Sequence, residues 1–157
     1  MPIVYRTAVE EDAQQLAELR WEFKIADEPR PSVPVCSPDS EDVCRRFFEN
    51  GIAAGTWKHW VAEEAGRIVS VVSAQVIEKV PKPACLANRF AYVTNVYTRP
   101  AWRRQGIGAK LMACVQEWAS AEAIEFLIVW PSETSVTFYA RAGFVQEREA
   151  MVWQVEA

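Results

Sequence analysis

Histidine is almost missing from this chain: His59 is the single one in 157 residues. A metal centre built on several imidazoles is thereby excluded, and no metal is expected. No apolar run approaches the roughly 20 residues that a membrane-spanning helix requires, so no membrane partner is expected. The opening residues Met1-Pro2-Ile3-Val4-Tyr5-Arg6 contain no signal-peptide core. Cysteine is sparse, and Cys36, Cys44, Cys85 and Cys114 form no Cys-x-x-Cys spacing. Without a secretory signal, free thiols and a cytoplasmic location are expected. Basic residues are outnumbered, 17 Lys and Arg against 21 Asp and Glu, for a net charge of −4. That balance removes any global attraction to nucleic acid. Repeats and low-complexity tracts are absent.

What remains is an ordinary globular composition, 50% hydrophobic and 24% charged. The length suits one domain, residues 1–157, large enough for a real core. Positive charge gathers locally at Arg99, Arg103 and Arg104, which suits a local anionic ligand.

Ile3 to Arg6 reads as a short strand. Thr7 with Glu10 resembles a capping box, and Leu16, Leu19, Trp21 and Phe23 make an amphipathic helix over 10–25. A second helix is predicted over 40–50, stopped by Asn50-Gly51. Strands follow at 57–64 and 67–79, joined by a turn at Ala65-Gly66. A strand at 90–98 leads into a helix over 105–121, whose stripe is Ile107, Leu111, Met112, Val115 and Trp118. The run 126–130 predicts a strand buried on both faces. A short helix over 134–142 closes at Gly143, and strands at 144–148 and 151–155 end the chain. The order β-α-α-β-β-β-α-β-α-β-β is an α/β arrangement: one mixed sheet with helices on both faces.

The most informative segment is Arg103-Arg104-Gln105-Gly106-Ile107-Gly108-Ala109. A strand that turns through basic residues and two glycines into a helix makes an anion site. Glycine lets the backbone approach a ligand, and the helix start aims free N–H groups at it. Arginine adds charge that pairs with phosphate. A P-loop is ruled out, because Lys110 is followed by Leu111 rather than by Ser or Thr. A dinucleotide fingerprint is ruled out too, because its third glycine would stand at position 111. An ordinary tight turn with a basic flank competes, but the preceding strand and a second motif downstream argue against it.

Arg103, Gly106 and Gly108 fill the pattern Arg-x-x-Gly-x-Gly, and Tyr139-Ala140-Arg141-Ala142-Gly143-Phe144 fills Tyr-x-x-x-Gly-Phe. Both are similar to motifs of the GCN5-related N-acetyltransferases (GNAT), whose element order this chain also resembles along its length. The resemblance implies acetyl-coenzyme A as cosubstrate, with its pyrophosphate on Arg103, Arg104, Gln105, Gly106, Ile107, Gly108 and Ala109. It implies coenzyme contacts at Val96, Tyr97 and Thr98: backbone N–H groups of Val96 and Thr98 would polarise the thioester carbonyl, with Tyr97 on the opposite side. It implies Tyr139 as the acid that protonates the departing thiolate. Core packing is the competing role for that tyrosine. The family often has Asn seven residues before it; here Ser132 stands there, with Ser135 nearby, and both are candidate coenzyme contacts or helix caps.

N-acetylation needs a neutral amine, yet 93–96 read Val, Thr, Asn and Val, with no carboxylate. Glu22, Asp27 and Glu28, in or just after the first helix, are candidate substrate-binding residues that would attract a cationic amine. Each taken alone reads as a solvated charge. His59 reads as surface or packing rather than as a base, and deprotonation through water stays open. The stretch 29–38, with four prolines, is expected to wall the acceptor site. Among seven tryptophans, Trp21, Trp57 and Trp130 are candidates to line it. The expected function is acetyl transfer to a primary amine of a small molecule. The alternative is a coenzyme-binding module without turnover. The family often forms homodimers, and nothing in the residues decides that state here.

Overall fold

The computed structural model describes residues 1–27, 38–83, 88–147 and 150–155. Among them five strands form one sheet in the order β1 to β5: β1 (Val4–Thr7), β2 (Trp57–Glu64), β3 (Arg67–Glu78), β4 (Arg89–Thr98) and β5 (Leu127–Ile128). The first four pair antiparallel, and β5 runs parallel to β4. Four helices flank the sheet: α1 (Ala13–Asp27), α2 (Pro38–Ala54), α3 (Ile107–Ala121) and α4 (Val136–Arg141).

Alternation along the strands divides the core in two. On one face Leu16, Leu19 and Phe48 of α1 and α2 pack against Val61, Ile68, Val71 and Tyr97. On the other, Ile107, Leu111, Met112 and Val115 of α3 pack against Trp60, Val69, Val72 and Val93. Each such fully buried aliphatic side chain contributes about 1.5–3 kcal/mol. The predicted α3 stripe is therefore the observed one, with Trp118 packed against the rim of that cluster.

Two helix boundaries differ from expectation for local reasons. Helix α2 does not stop at Gly51. Gly51 is buried inside the helix, and a Cβ there would come within 3.0 Å of Trp57 Cβ. The glycine serves close approach of α2 to β2, and the helix ends at Gly55, whose φ is +69°. The box at the start of α1 is not made by Thr7 and Glu10, because Thr7 belongs to β1. Asp12 accepts the Val9 N–H at 2.8 Å instead.

The C-terminal third departs further. The predicted strand 126–130 is only two residues of β5, half-buried, with Phe126 and Trp130 exposed at 45% and 61%. The described parts of the two closing strands, 144–147 and 151–155, carry no strand, and Met151, Trp153 and Val155 are exposed. Strand-like patterning forms a strand only where a ladder accepts it. β5 offers two paired residues, Ala91↔Leu127 and Tyr92↔Ile128, and nothing among the described residues covers its outer edge.

One ionic cluster joins β1, β2 and the entry to α1. Arg6 donates to Asp12 through Nη1 (2.6 Å) and Nη2 (2.9 Å), and to Glu63 through Nε (3.0 Å) and Nη2 (2.6 Å). Asp12 is buried, and the Arg6 guanidinium holds its carboxyl below the ordinary carboxylate value. The stabilisation it contributes is present above pH ~4 and is lost as pH falls through the depressed folded value. Asp12→Asn is expected to lower stability by about 2 kcal/mol at pH 7. Urea titrations should show the gap to the parent protein closing below pH ~4; a constant gap would contradict the assignment.

Candidate functional site

β4 carries an extra residue. Its partners on β3 run Tyr97↔Val71 and then Thr94↔Ser73, so Asn95 and Val96 oppose Val72 alone. Asn95 takes φ 52°, the left-handed region that Asn tolerates better than most residues. Past Tyr92, β4 has no strand beside it on the β5 side among the described residues. Arg99 N donates to Val69 O of β3 (2.9 Å), so the N–H and C=O of the preceding residue, Thr98, point the other way. Arg103 Nε accordingly donates to Thr98 O at 2.8 Å. Val96 lies two residues earlier on the same open edge. Tyr97 faces the opposite layer and stacks on Phe23 at 5.3 Å.

That open edge leads into the glycine loop. Arg104 and Gly106 both have positive φ, 59° and 76°. Successive N–H groups turned this way form a concave nest for an anion. Gly106 is the N-cap of α3 and supplies no side-chain cap. Lys110 N donates to Gly106 O, which leaves the N–H groups of Ile107, Gly108 and Ala109 outside the helical ladder, at the positive end of its dipole. Residues 103–106 are exposed. A Cβ on Gly108 would sit 3.4 Å from Phe138 and 3.7 Å from Thr98 Oγ1. The first turn of α3, the end of β4 and α4 thus meet at one point.

Tyr139 of α4 is 7% exposed and packs edge-on against Phe138 and Phe144. Burial, with a smaller contribution from Tyr92, pushes its phenol up to about 12. The group stays protonated at any physiological pH. Its hydroxyl bonds to no described residue and is not among the side-chain atoms sealed from solvent. Ser132 and Ser135 bond to each other at 3.0 Å in the turn before α4, and neither caps a helix through its side chain.

On the opposite face a cavity of about 500 Å³ lies between α1, α2 and the middle of the sheet. Trp21, Phe47, Phe48 and Trp57 give it apolar walls; Arg20 and Lys24 give it charge; His59, Ser73, Thr94 and Asn95 give it polar groups. His59 is buried, with Nδ1 2.7 Å from Ser73 Oγ. Asn95 Nδ2 donates to the same hydroxyl at 3.2 Å, and Arg20 Nη1 donates to Asn95 Oδ1 at 3.2 Å. His59 Nε2 is buried without a partner among the described residues.

Sequence-level candidates divide by face. The loop residues, Val96, Thr98 and Tyr139 converge on the open edge of β4, with Ser132 and Ser135 in the turn that enters α4. Trp21 and Trp57 line the cavity, whereas Trp130 packs on Tyr92 at 4.9 Å. Glu22 is not in the cavity lining; it pairs with buried Arg99 at 3.0 Å. Asp27 ends α1, with its side chain outside the described atoms, and Glu28 and the proline stretch 29–37 lie outside the described residues. Arg20, Lys24, Ser73 and Asn95 were missed. The only sequence signal was Asn95, a weak strand former inside Tyr-Val-Thr-Asn-Val-Tyr.

Burial drives the His59 pKa down to about 4. An unfolded chain takes up this proton near pH 6.5, so folding loses stability as pH falls from there toward 4. The single histidine makes the test unambiguous: its Cε1 proton, followed by NMR, should titrate near pH 4. A midpoint near 6.5 would mean a solvated ring.

No curated protein matches the sequence significantly. Solved structures do match the fold. A protein of Clostridium acetobutylicum described as a predicted acetyltransferase, solved with acetyl-CoA, superposes with TM-score 0.81 at 24% identity, over 98% of this chain and 96% of the other. A GCN5-related N-acetyltransferase of Ralstonia eutropha JMP134 gives 0.79 at 24% identity, over 98% and 99%. An aminoglycoside acetyltransferase from an uncultured soil metagenomic sample, in complex with trehalose, gives 0.74 at 16%, over 99% and 96%. The sequence model of the acetyltransferase (GNAT) domain matches residues 36–152, a span that holds the glycine loop, the bulged strand and Tyr139. This chain belongs to the GNAT acetyltransferase family.

Proposed function

We propose that the chain is one acetyltransferase domain that moves the acetyl group of acetyl-coenzyme A to a primary amine of a small molecule. The observation that carries this reading is the uncapped N-terminus of α3. There, Arg104 and Gly106 turn backbone N–H groups outward at the open end of β4. A pyrophosphate fits such a nest, and Arg103, Arg104 and Gln105 flank it. The pantetheine arm then runs along the unpaired edge of β4, where no strand competes for its amides.

Val96 and Thr98 present N–H groups to the thioester carbonyl and stabilise the charge that develops as the amine attacks. The amine nitrogen bonds to the carbonyl carbon, the carbon–sulfur bond breaks, and Tyr139 gives its proton to the leaving thiolate. A phenol pushed up to about 12 is a weak acid, but the same dry surroundings raise the basicity of the thiolate. No carboxylate lines the cavity among the described residues. Arg20 and Lys24 instead disfavour the ammonium form, so the amine's proton is lost to water. Family membership supports the chemistry, as does the acetyl-CoA solved with the Clostridium protein. The aminoglycoside acetyltransferase among the similar structures supports a small-molecule acceptor.

Tyr139→Phe is expected to lower kcat about a hundredfold while coenzyme A affinity, read by calorimetry, stays within about twofold. Undiminished kcat would remove Tyr139 from the chemistry. Gly106→Glu places a Cβ at φ 76° and a carboxylate in the phosphate path, so coenzyme A binding should disappear. Normal affinity in that variant would refute the cradle.

A further inference from the structure

The cavity beside the β4 bulge carries information about the acceptor, and its reading rests on the transfer reading above. The sequence pointed to acidic residues and a cationic amine. The structure places charge of the other sign there. Glu22 is occupied by Arg99, while Arg20 and Lys24 line the cavity and form no ion pair with any described carboxylate.

The hydrogen bonds have one direction. Arginine only donates, so Asn95 must turn Oδ1 to Arg20 and Nδ2 to Ser73. The Ser73 hydroxyl, receiving that N–H, has its own proton free for His59 Nδ1. The ring proton is then on Nε2, the nitrogen without a partner. That nitrogen is sealed from solvent, so the donors left to a ligand are chiefly the Arg20 and Lys24 cations, and a ligand that satisfies them brings acceptor oxygens and negative charge. Arg20 touches Asn95, the bulge residue next to Val96, so this charge sits beside the reacting strand. The anion and the attacking amine must therefore lie close together on one small molecule. The walls, Trp21, Phe47 and Trp57, suit an apolar body, and Phe47 is 46% exposed.

We infer that the acceptor is a carboxylate-bearing primary amine of the α-amino-acid type with an apolar or aromatic side chain. The carboxylate pairs with Arg20 and Lys24, the side chain packs on the aromatic walls, and the amine faces the bulge.

The test compares L-phenylalanine, L-tryptophan and L-leucine with their carboxamides in a thiol-release assay with acetyl-coenzyme A. The amide keeps the shape and loses the charge, and its less basic amine makes it the better nucleophile near neutral pH. A preference for the acid would thus come from the protein. The acids are expected to show kcat/KM at least about tenfold above their amides, and Lys24→Glu is expected to reverse that order. Amides equal or better with the parent protein, or a ratio untouched by Lys24→Glu, would overturn the inference. If no member of the panel is acetylated, calorimetry with the coenzyme A-loaded protein decides. Amino-acid binding that weakens in Lys24→Glu keeps the carboxylate-binding site but overturns its ligand's role as acceptor, together with the transfer reading. Absent binding overturns the inference, while acetylation of another amine in the same assay keeps the transfer reading intact.

Discussion

The arrangement depends on one irregularity: β4 holds two residues, Asn95 and Val96, where β3 holds only Val72. An extra residue bends a strand and increases its twist. Here it falls just after the last pairing with β5, so the two parallel strands part instead of continuing their ladder. Backbone groups that a regular sheet would consume are left for a ligand. The same residue, Asn95, turns its side chain to the other layer and joins Arg20 to Ser73 and His59. One bulge therefore shapes the open edge of β4 with its backbone and the cavity with its side chain.

The two faces solve their electrostatics differently. On the side of the glycine loop, the attraction proposed for a coenzyme comes largely from peptide dipoles at the start of α3, reinforced by exposed arginines. Such a site stays open to a flexible, highly charged ligand. On the cavity side, charge is carried by side chains that lean on aromatic surface: Arg20 and Lys24 both lie within 6 Å of the Phe23 ring. His59 contributes no charge, because burial keeps it neutral to about pH 4. Glu22, an acid on the same helix, is spent on Arg99, which would otherwise be a buried charge without a carboxylate among the described residues.

Much of the middle of the chain was legible in its residues. The hairpin at Ala65-Gly66 has the predicted register, Glu64↔Arg67, because two turn residues between alternating runs admit few other pairings. The α3 stripe is readable because a helix repeats every 3.6 residues whatever lies beside it. Gly51 misled because a glycine needed for contact with Trp57 looks the same in sequence as one that ends a helix. The C-terminal run misled for a different reason. Met151-Val152-Trp153-Gln154-Val155 is rich in strand-favouring residues, yet strand formation depends on an edge elsewhere in the fold.

Local chemistry therefore determined the glycine loop. The anion site proposed there rests on consecutive residues, two glycines and two arginines at the start of a helix, and needs no distant partner. Tyr139 was singled out by its motif, but the burial that pushes its phenol up to about 12 was decided by packing. The cavity between α1, α2 and the sheet was decided by tertiary structure alone. Arg20, His59, Ser73 and Asn95 come from four separate elements, and no spacing in the chain records that they touch. The sign of the cavity's charge was hidden for the same reason: only folding places Arg99 against Glu22 and leaves Arg20 and Lys24 facing the cavity.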